Sequence, residues 1–341
     1  MIKLMYRYVL SILFLAYFVS CQRSQDYLSD MDSRLLKPVQ TYNSIFLGRP
    51  YQIELIDSIL IVAENVSDTV LSFYNIIDST LLCRRLTVGQ GPNELLNPIV
   101  LQSENDAKQI TVLQRQNGIF TVYALDSLLR GSNVPAKKVE LPFSDRFVRT
   151  ETGYICTGLY ENGIARYMSI DGTENRDINI FPDCVAGISD RAVRYKFAQG
   201  SMAYHKGVLA FAPYFLGYVE FYSVERGACV SLGRSYFADS SFENKVRESK
   251  GNLQITDDDI MHCYGAASGG DNFYILYSGK KMAERNKIAN SYIYEFDNAG
   301  QCLAKYEIEG YVEDFCVSGK AMYCIVQTQD NEPMVVKYLL P

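Results

Sequence analysis

The residues with the clearest chemical capacity lie at 86 to 98, LTVGQGPNELLNP. Gly89 and Gly91 can take positive φ, Pro92 fixes the following turn, and Pro98 interrupts any strand, so this loop is rigid and compact. Glu94 is placed to accept hydrogen bonds from the loop's own amides. One reading gathers Gln90, Asn93 and Glu94 around a ligand. The favoured one makes the same residues a clasp between neighbouring structural units. As a phosphate loop the segment fails, because Glu94 occupies the third glycine position of G-x-G-x-x-G and no crossover helix follows.

Other reactive side chains do not assemble into a known catalytic pattern. Ser278 and Lys281 have S-x-x-K spacing but sit at a hairpin tip without companion motifs. The two histidines, His205 and His262, lack ligand-like spacing, and no H-E-x-x-H, G-x-S-x-G, Walker A or C-x-x-C occurs. Asp257, Asp258 and Asp259 are consecutive and cannot all face one ion, so they read as a solvated acidic loop. No catalytic residue and no metal ligand is assigned.

The amino terminus carries an address. Lys3 and Arg7 precede an apolar run from Val9 to Val19, too short to span a bilayer and suited to an export signal. It ends Phe18-Val19-Ser20-Cys21, which resembles the lipobox of bacterial lipoproteins, with Phe18 where Leu is commoner. That resemblance implies acylation of Cys21 as the first mature residue, and several acyl chains at about 0.8 kcal/mol per buried CH₂ hold a protein on a membrane. Gln22 follows where Asp would resemble an inner-membrane retention signal, which points to the outer membrane. Residues 1–20 are thus expected to be a lipoprotein signal peptide. Residues 21–36 then supply the lipidated Cys and a flexible tether, although Leu28, Met31 and Leu35 also have the spacing of a short helix.

The remaining elements must position these groups. The chain has 341 residues, 48% hydrophobic and 21% charged, enough for a large core and too ordered in composition for a disordered chain. A formal net charge of −6 disfavours nucleic acid. With 26 Tyr, 17 Phe and no Trp, the composition favours strands. Short β-rich runs recur at 57–62, 108–113, 153–158, 207–212, 272–277 and 321–326, each followed by a second run beginning at 69, 119, 165, 218, 291 and 334. Six hairpins with room for two further strands apiece predict an all-β chain, a six-bladed β-propeller over 37–341. The two irregular intervals place insertions at 238–260 and 279–290, the second as a helical turn or two on a hairpin. Closure of the ring needs a strand from the other terminus, which residues 39–47 can supply.

Layout, lipobox and the G-x-G-P-x-E-x-x-x-P segment at 89 to 98 together resemble TolB-like six-bladed β-propeller lipoproteins, and more distantly the NHL repeat. The resemblance implies a lipid-anchored propeller with no established reaction. The expected function is a non-enzymatic binding or scaffolding module of the cell envelope, its partner an envelope protein or glycan met near the insertions. The alternatives are a hydrolase or lactonase with an axial divalent metal, and a glycan-binding accessory lipoprotein. Tyr204, Tyr214, Tyr218, Tyr264 and Tyr274 are expected mainly to pack between blades. Of the cysteines, Cys316 and Cys324 cannot bridge, because if Val317 pairs with Met322 they point to opposite faces of the pleat.

Overall fold

A computed structural model describes residues 27–341 apart from 67, 92, 97, 98, 105, 181–184, 186, 240, 249–253, 288 and 328–331. The signal segment, Cys21, Pro92, Pro98 and Cys184 therefore lie outside the described residues.

The six middle hairpins form where the apolar runs place them. Each belongs to a blade of four antiparallel strands read from the axis outward, and blade 1, for example, runs Pro50–Ile56, Ile59–Val66, Thr69–Asn75, Thr80–Thr87. Blades 2 to 6 begin with inner strands Ile99–Glu104, Ser144–Arg149, Gly200–His205, Ile260–Gly269 and Tyr311–Ser318. Each inner strand contacts the next, and that of blade 6 contacts that of blade 1, so the six sheets make a ring.

This arrangement explains the sequence pattern. A middle strand is covered on both faces by neighbouring blades, so Ile59–Val66 and Gln109–Gln114 read as nearly continuous buried runs. An outer strand such as Lys137–Glu140 meets solvent and alternates. The buried side chains divide into six clusters, one at each seam between blades. At the seam of blades 4 and 5, Phe237 has no exposed surface and packs edge-on to Tyr294, with centroids 4.9 Å apart.

Ring closure comes from the amino-terminal side, as a late outer strand for the last blade. Pro38–Thr41 pairs antiparallel with Pro333–Leu339, including Thr41 with Val336. The strand starts one residue before the expected 39–47 span and stops well short of its end. Within blade 6, Val317 faces Met322, Phe315 faces Cys324 and Cys316 faces Tyr323, the register that keeps the two thiols apart.

The described part of the tether span is not free of the disc. Leu28–Asp30 forms a single 3-10 turn, and Arg34–Leu35 adds a fifth, parallel strand to blade 5 beside Tyr306 and Glu307. Its short length and mixed composition hide it from any periodicity. Among the described residues, three α-helices also interrupt the strands: Leu125–Leu129 within blade 2, Arg191–Ala198 before blade 4, and Ser241–Glu248 in the 238–260 insertion. The helix at 191 starts on Asp190, whose carboxylate accepts from the amides of Ala192 and Val193. In the 279–290 insertion, Met282–Lys287 forms the expected short helical turn, of 3-10 type.

Removing the ring from Phe237 leaves a void at a seam that the chain cannot refill. Phe237→Ala should cost about 3–5 kcal/mol, read from the denaturant midpoint at unchanged slope.

Candidate functional site

The up-and-down order of each blade sorts its loops. Connections between blades and the turns of the middle hairpins fall on one face, and the remaining turns on the other. Both insertions and the helix Arg191–Ala198 therefore crowd the connection face.

Two cavities open along the ring axis. On the connection face, a mouth of about 380 Å³ is lined by residues of all six inner strands together with Arg115 and Tyr214. A second mouth of about 480 Å³ opens on the opposite face. They share Gln52, Glu54, Gln102, Met202, Ala266 and Asp314, which form the waist of a single axial channel.

The waist residues have a structural task. Neighbouring inner strands do not pair backbone to backbone, so their buried amides and carbonyls need other partners. The Gln52 side chain supplies both to blade 2: its Nε2 donates to Leu101 O, and its Oε1 accepts from Leu101 N at 2.8 Å. Gln102 accepts from Arg149 N of blade 3 at 2.7 Å, and Asp314 accepts from Ile53 N of blade 1 at 2.9 Å. Ser103 Oγ donates to Glu54 at 2.8 Å, and Ser268 Oγ donates to Tyr204 O at 3.0 Å.

Glu54 and Asp314 border the channel, half-buried at its waist and closely surrounded by protein atoms. Burial pushes Glu54 up to about 8, against the hydrogen bond from Ser103 and with help from nearby Asp314. Burial likewise raises Asp314 to about 7, partly offset by the amides of Ile53 and Phe315; Glu313 adds to the rise and Arg146 opposes it. Above them, burial works against the charge of Arg146, but Tyr214, Asp145 and Tyr195 outweigh it and raise its pKa. Asp145 also receives Arg115 and the Tyr195 hydroxyl, and its backbone carbonyl accepts from Arg146 at 3.2 Å. The connection-face mouth thus sets Arg115 and Arg146 against Glu313 and the raised carboxyls of Glu54 and Asp314. It can hydrogen-bond hydroxyls and carboxylates.

Of the tyrosines singled out by sequence, Tyr214 and Tyr264 line this mouth and Tyr204 lines the opposite one, whereas Tyr218 and Tyr274 are buried between blades. Tyr264 stacks on Tyr311 with planes 7° apart. Nothing in the local sequence marks Gln52, Glu54, Gln102, Arg146 or Asp314 as site residues.

The glycine loop lies elsewhere. Gly89, Gln90, Gly91, Asn93 and Glu94 line a separate pocket of about 350 Å³ against blade 2, with Gln114, Asn117 and Lys138 opposite. Glu94 turns back into its own loop and accepts from Gly91 N at 2.7 Å. Neither Gly89 nor Gly91 has positive φ, so their need for glycine is steric rather than conformational. A Cβ on Gly89 would collide with Glu94 Oε2. Leu95, directly after, is buried in the seam cluster of blades 1 and 2 with Leu86 and Ile99, and Leu96 N donates to Gln114 Oε1 at 3.0 Å. These contacts have the form of a clasp.

The remaining chemical candidates disperse. Asp258 pairs with Lys281 at 2.8 Å and Asp257 O accepts from Ala283 N, which pins the two insertions together, while Asp259 pairs with Lys245 at 2.6 Å within the first of them. With Lys281 engaged there, Ser278 has no lysine partner of its S-x-x-K match; its Oγ accepts from Lys280 N. His262 is buried and pushed down to about 4 by burial, and His205 lies 3.4 Å from Asp271. Among the described residues no three His, Cys, Asp or Glu side chains are grouped to hold a metal ion.

The match to known families follows the ring's extent. The profile of the family described as TolB-like 6-blade propeller-like matches residues 31–320. The chain belongs to the TolB-like six-bladed propeller family. Among solved structures it is similar to a Bacteroides fragilis protein described as a candidate exported protein, at 12% identity and a TM-score of 0.58, covering 90% of this chain and 94% of that one. It is also similar to a DUF4221-family member from Bacteroides vulgatus, at 9% identity and a TM-score of 0.50, covering 90% and 96%. These likenesses show the fold. No curated protein matches the chain.

Two outcomes test the site's physics. Gly89→Ala should destabilise the TolB-like propeller by about 1 kcal/mol, because Glu94 must leave the Gly91 amide, and the cost should shrink in a Glu94→Ala background. The second concerns pH. Glu54 and Asp314 start from 4.5 and 3.8 unfolded and rise on folding, so the folded chain holds protons that the unfolded chain has released. Their contribution is complete below those unfolded values and is lost as pH climbs through about 7 and about 8. Thermal midpoints should fall across that window and flatten in Glu54→Gln.

Proposed function

We propose that this protein is an exported, lipid-anchored envelope protein whose propeller binds a hydroxylated or carboxylated small molecule, of the kind released from envelope glycans, at the connection-face mouth. The anchor rests on Phe18-Val19-Ser20-Cys21 and the apolar run before it. The outer membrane is the destination favoured by Gln22.

One observation carries the binding reading: the mouth holds groups beyond those that lace the ring. Arg146, Tyr214 and Tyr264 converge above the Glu54 and Asp314 carboxyls in a cavity of about 380 Å³. A few convergent polar groups in a concavity of this size suit a small ligand. The tyrosines offer ring faces and hydroxyls, Arg146 offers a planar donor for a carboxylate, and protonated carboxyls offer donors to hydroxyls. The role is recognition, with no reaction assigned to these residues. The clustered insertions supply a rim on which an envelope protein can rest.

Thermal melting of the chain against peptidoglycan fragments, acidic and neutral oligosaccharides and divalent metals tests this. A ligand at a hundred times its Kd should stabilise by about 2.7 kcal/mol. The shift should vanish in Arg146→Met and persist in Lys138→Ala, which alters only the separate loop pocket. A shift that survives Arg146→Met, or one produced by metals alone, contradicts the reading.

A further inference from the structure

The first described residues leave the disc at its rim, at the seam between blades 4 and 5, rather than on either flat face. Leu28 packs into the seam cluster with Phe237 and Cys302, and Ser29 N donates to Phe237 O at 3.0 Å. Lys305 Nζ donates to Ser29 O at 2.7 Å and to Met31 O at 2.9 Å, and Ser33 Oγ donates to Glu307 at 2.6 Å. Arg34–Leu35 then joins the outer edge of blade 5. Six residue steps separate Tyr27 from Cys21, a reach of at most about 20 Å when fully extended.

The rim around this exit is apolar in places where a free-standing disc gains nothing. On the outer strand of blade 4, Val230 and Leu232 are 65% and 48% exposed, and on blade 5 Leu303 and Leu35 are 46% and 49% exposed. Val230 pairs with Ser223, and Leu232 is the extra residue of a bulge opposite Phe221 and Tyr222.

We infer that the rim of blades 4 and 5 is a membrane-contact surface, set against the lipid in which Cys21 is anchored. The inference rests on the acylation of Cys21 proposed above. The occupant follows from the length of chain that ends there: a lipidated Cys21 keeps this seam within about 20 Å of the bilayer, closer than a long flexible tether would hold it. The disc then stands on edge, and the channel axis runs along the membrane plane. Both axial mouths stay open to solutes moving beside the bilayer.

The absence of Trp from the chain gives a clean reporter. Single variants Leu232→Trp and Leu303→Trp place the indole on the proposed surface, and Leu82→Trp places it on the rim of blade 1, three blades away from blade 4. The lipidated full chain is reconstituted in phosphatidylethanolamine and phosphatidylglycerol vesicles with and without brominated acyl chains. Indole emission from L232W and L303W should drop about twofold with brominated lipid while that from L82W is unchanged. Equal quenching of all three, or none in chain that floats with the vesicles, overturns the surface and leaves acylation standing. Chain that stays in solution with an unmodified mass at Cys21 overturns both.

Discussion

The propeller depends on a single unmet demand: six inner strands lie side by side around an axis without sharing backbone hydrogen bonds. Every blade is satisfied within itself, but the amides and carbonyls that face the next inner strand are not. Gln52, Gln102, Asp314 and Ser268 meet that demand with side chains. An amide side chain such as Gln52 presents a donor and an acceptor together, and so substitutes for a strand edge. Gln52, Gln102 and Asp314 also form the waist of the axial channel, so the fold and the candidate site draw on one set of polar groups.

That overlap explains the electrostatics. A carboxylate that receives an amide at the centre of the ring is crowded by protein atoms, and that burial raises Asp314 and its neighbour Glu54. The channel then carries two acids that hold their protons close to neutrality beneath a cation fixed by Asp145 and Tyr214. Around them, the acidic run at 257–259 ties the two insertions into one rim through Lys281 and the amides of Met282 and Ala283.

Much of the architecture is legible in the sequence, because middle strands are buried on both faces and announce themselves as apolar runs. The six hairpins, the late closing strand near residue 39 and the register at Cys316 and Cys324 all follow from patterns within a few dozen residues. The lacing contacts do not. Asp314 meets Ile53 across 261 positions, and neither residue's neighbourhood differs from any other short strand. The glycine loop reads locally as a compact turn holding Glu94, but the reason for Gly89 is a carboxylate lying against it, a contact set by how the loop folds back on itself. The strap at 27–36 is hidden for the same cause, since its partners lie on blade 5 and at the end of blade 4.

Amide hydrogen exchange resolved to single residues tests the lacing most directly. If side chains complete the inner strands, the amides of Ile53, Leu101 and Arg149 exchange as slowly as those of the middle hairpins, although none has a backbone acceptor across the seam. Exchange of these three at the rate of exposed turn amides, in chain whose middle hairpins stay protected, would contradict the account.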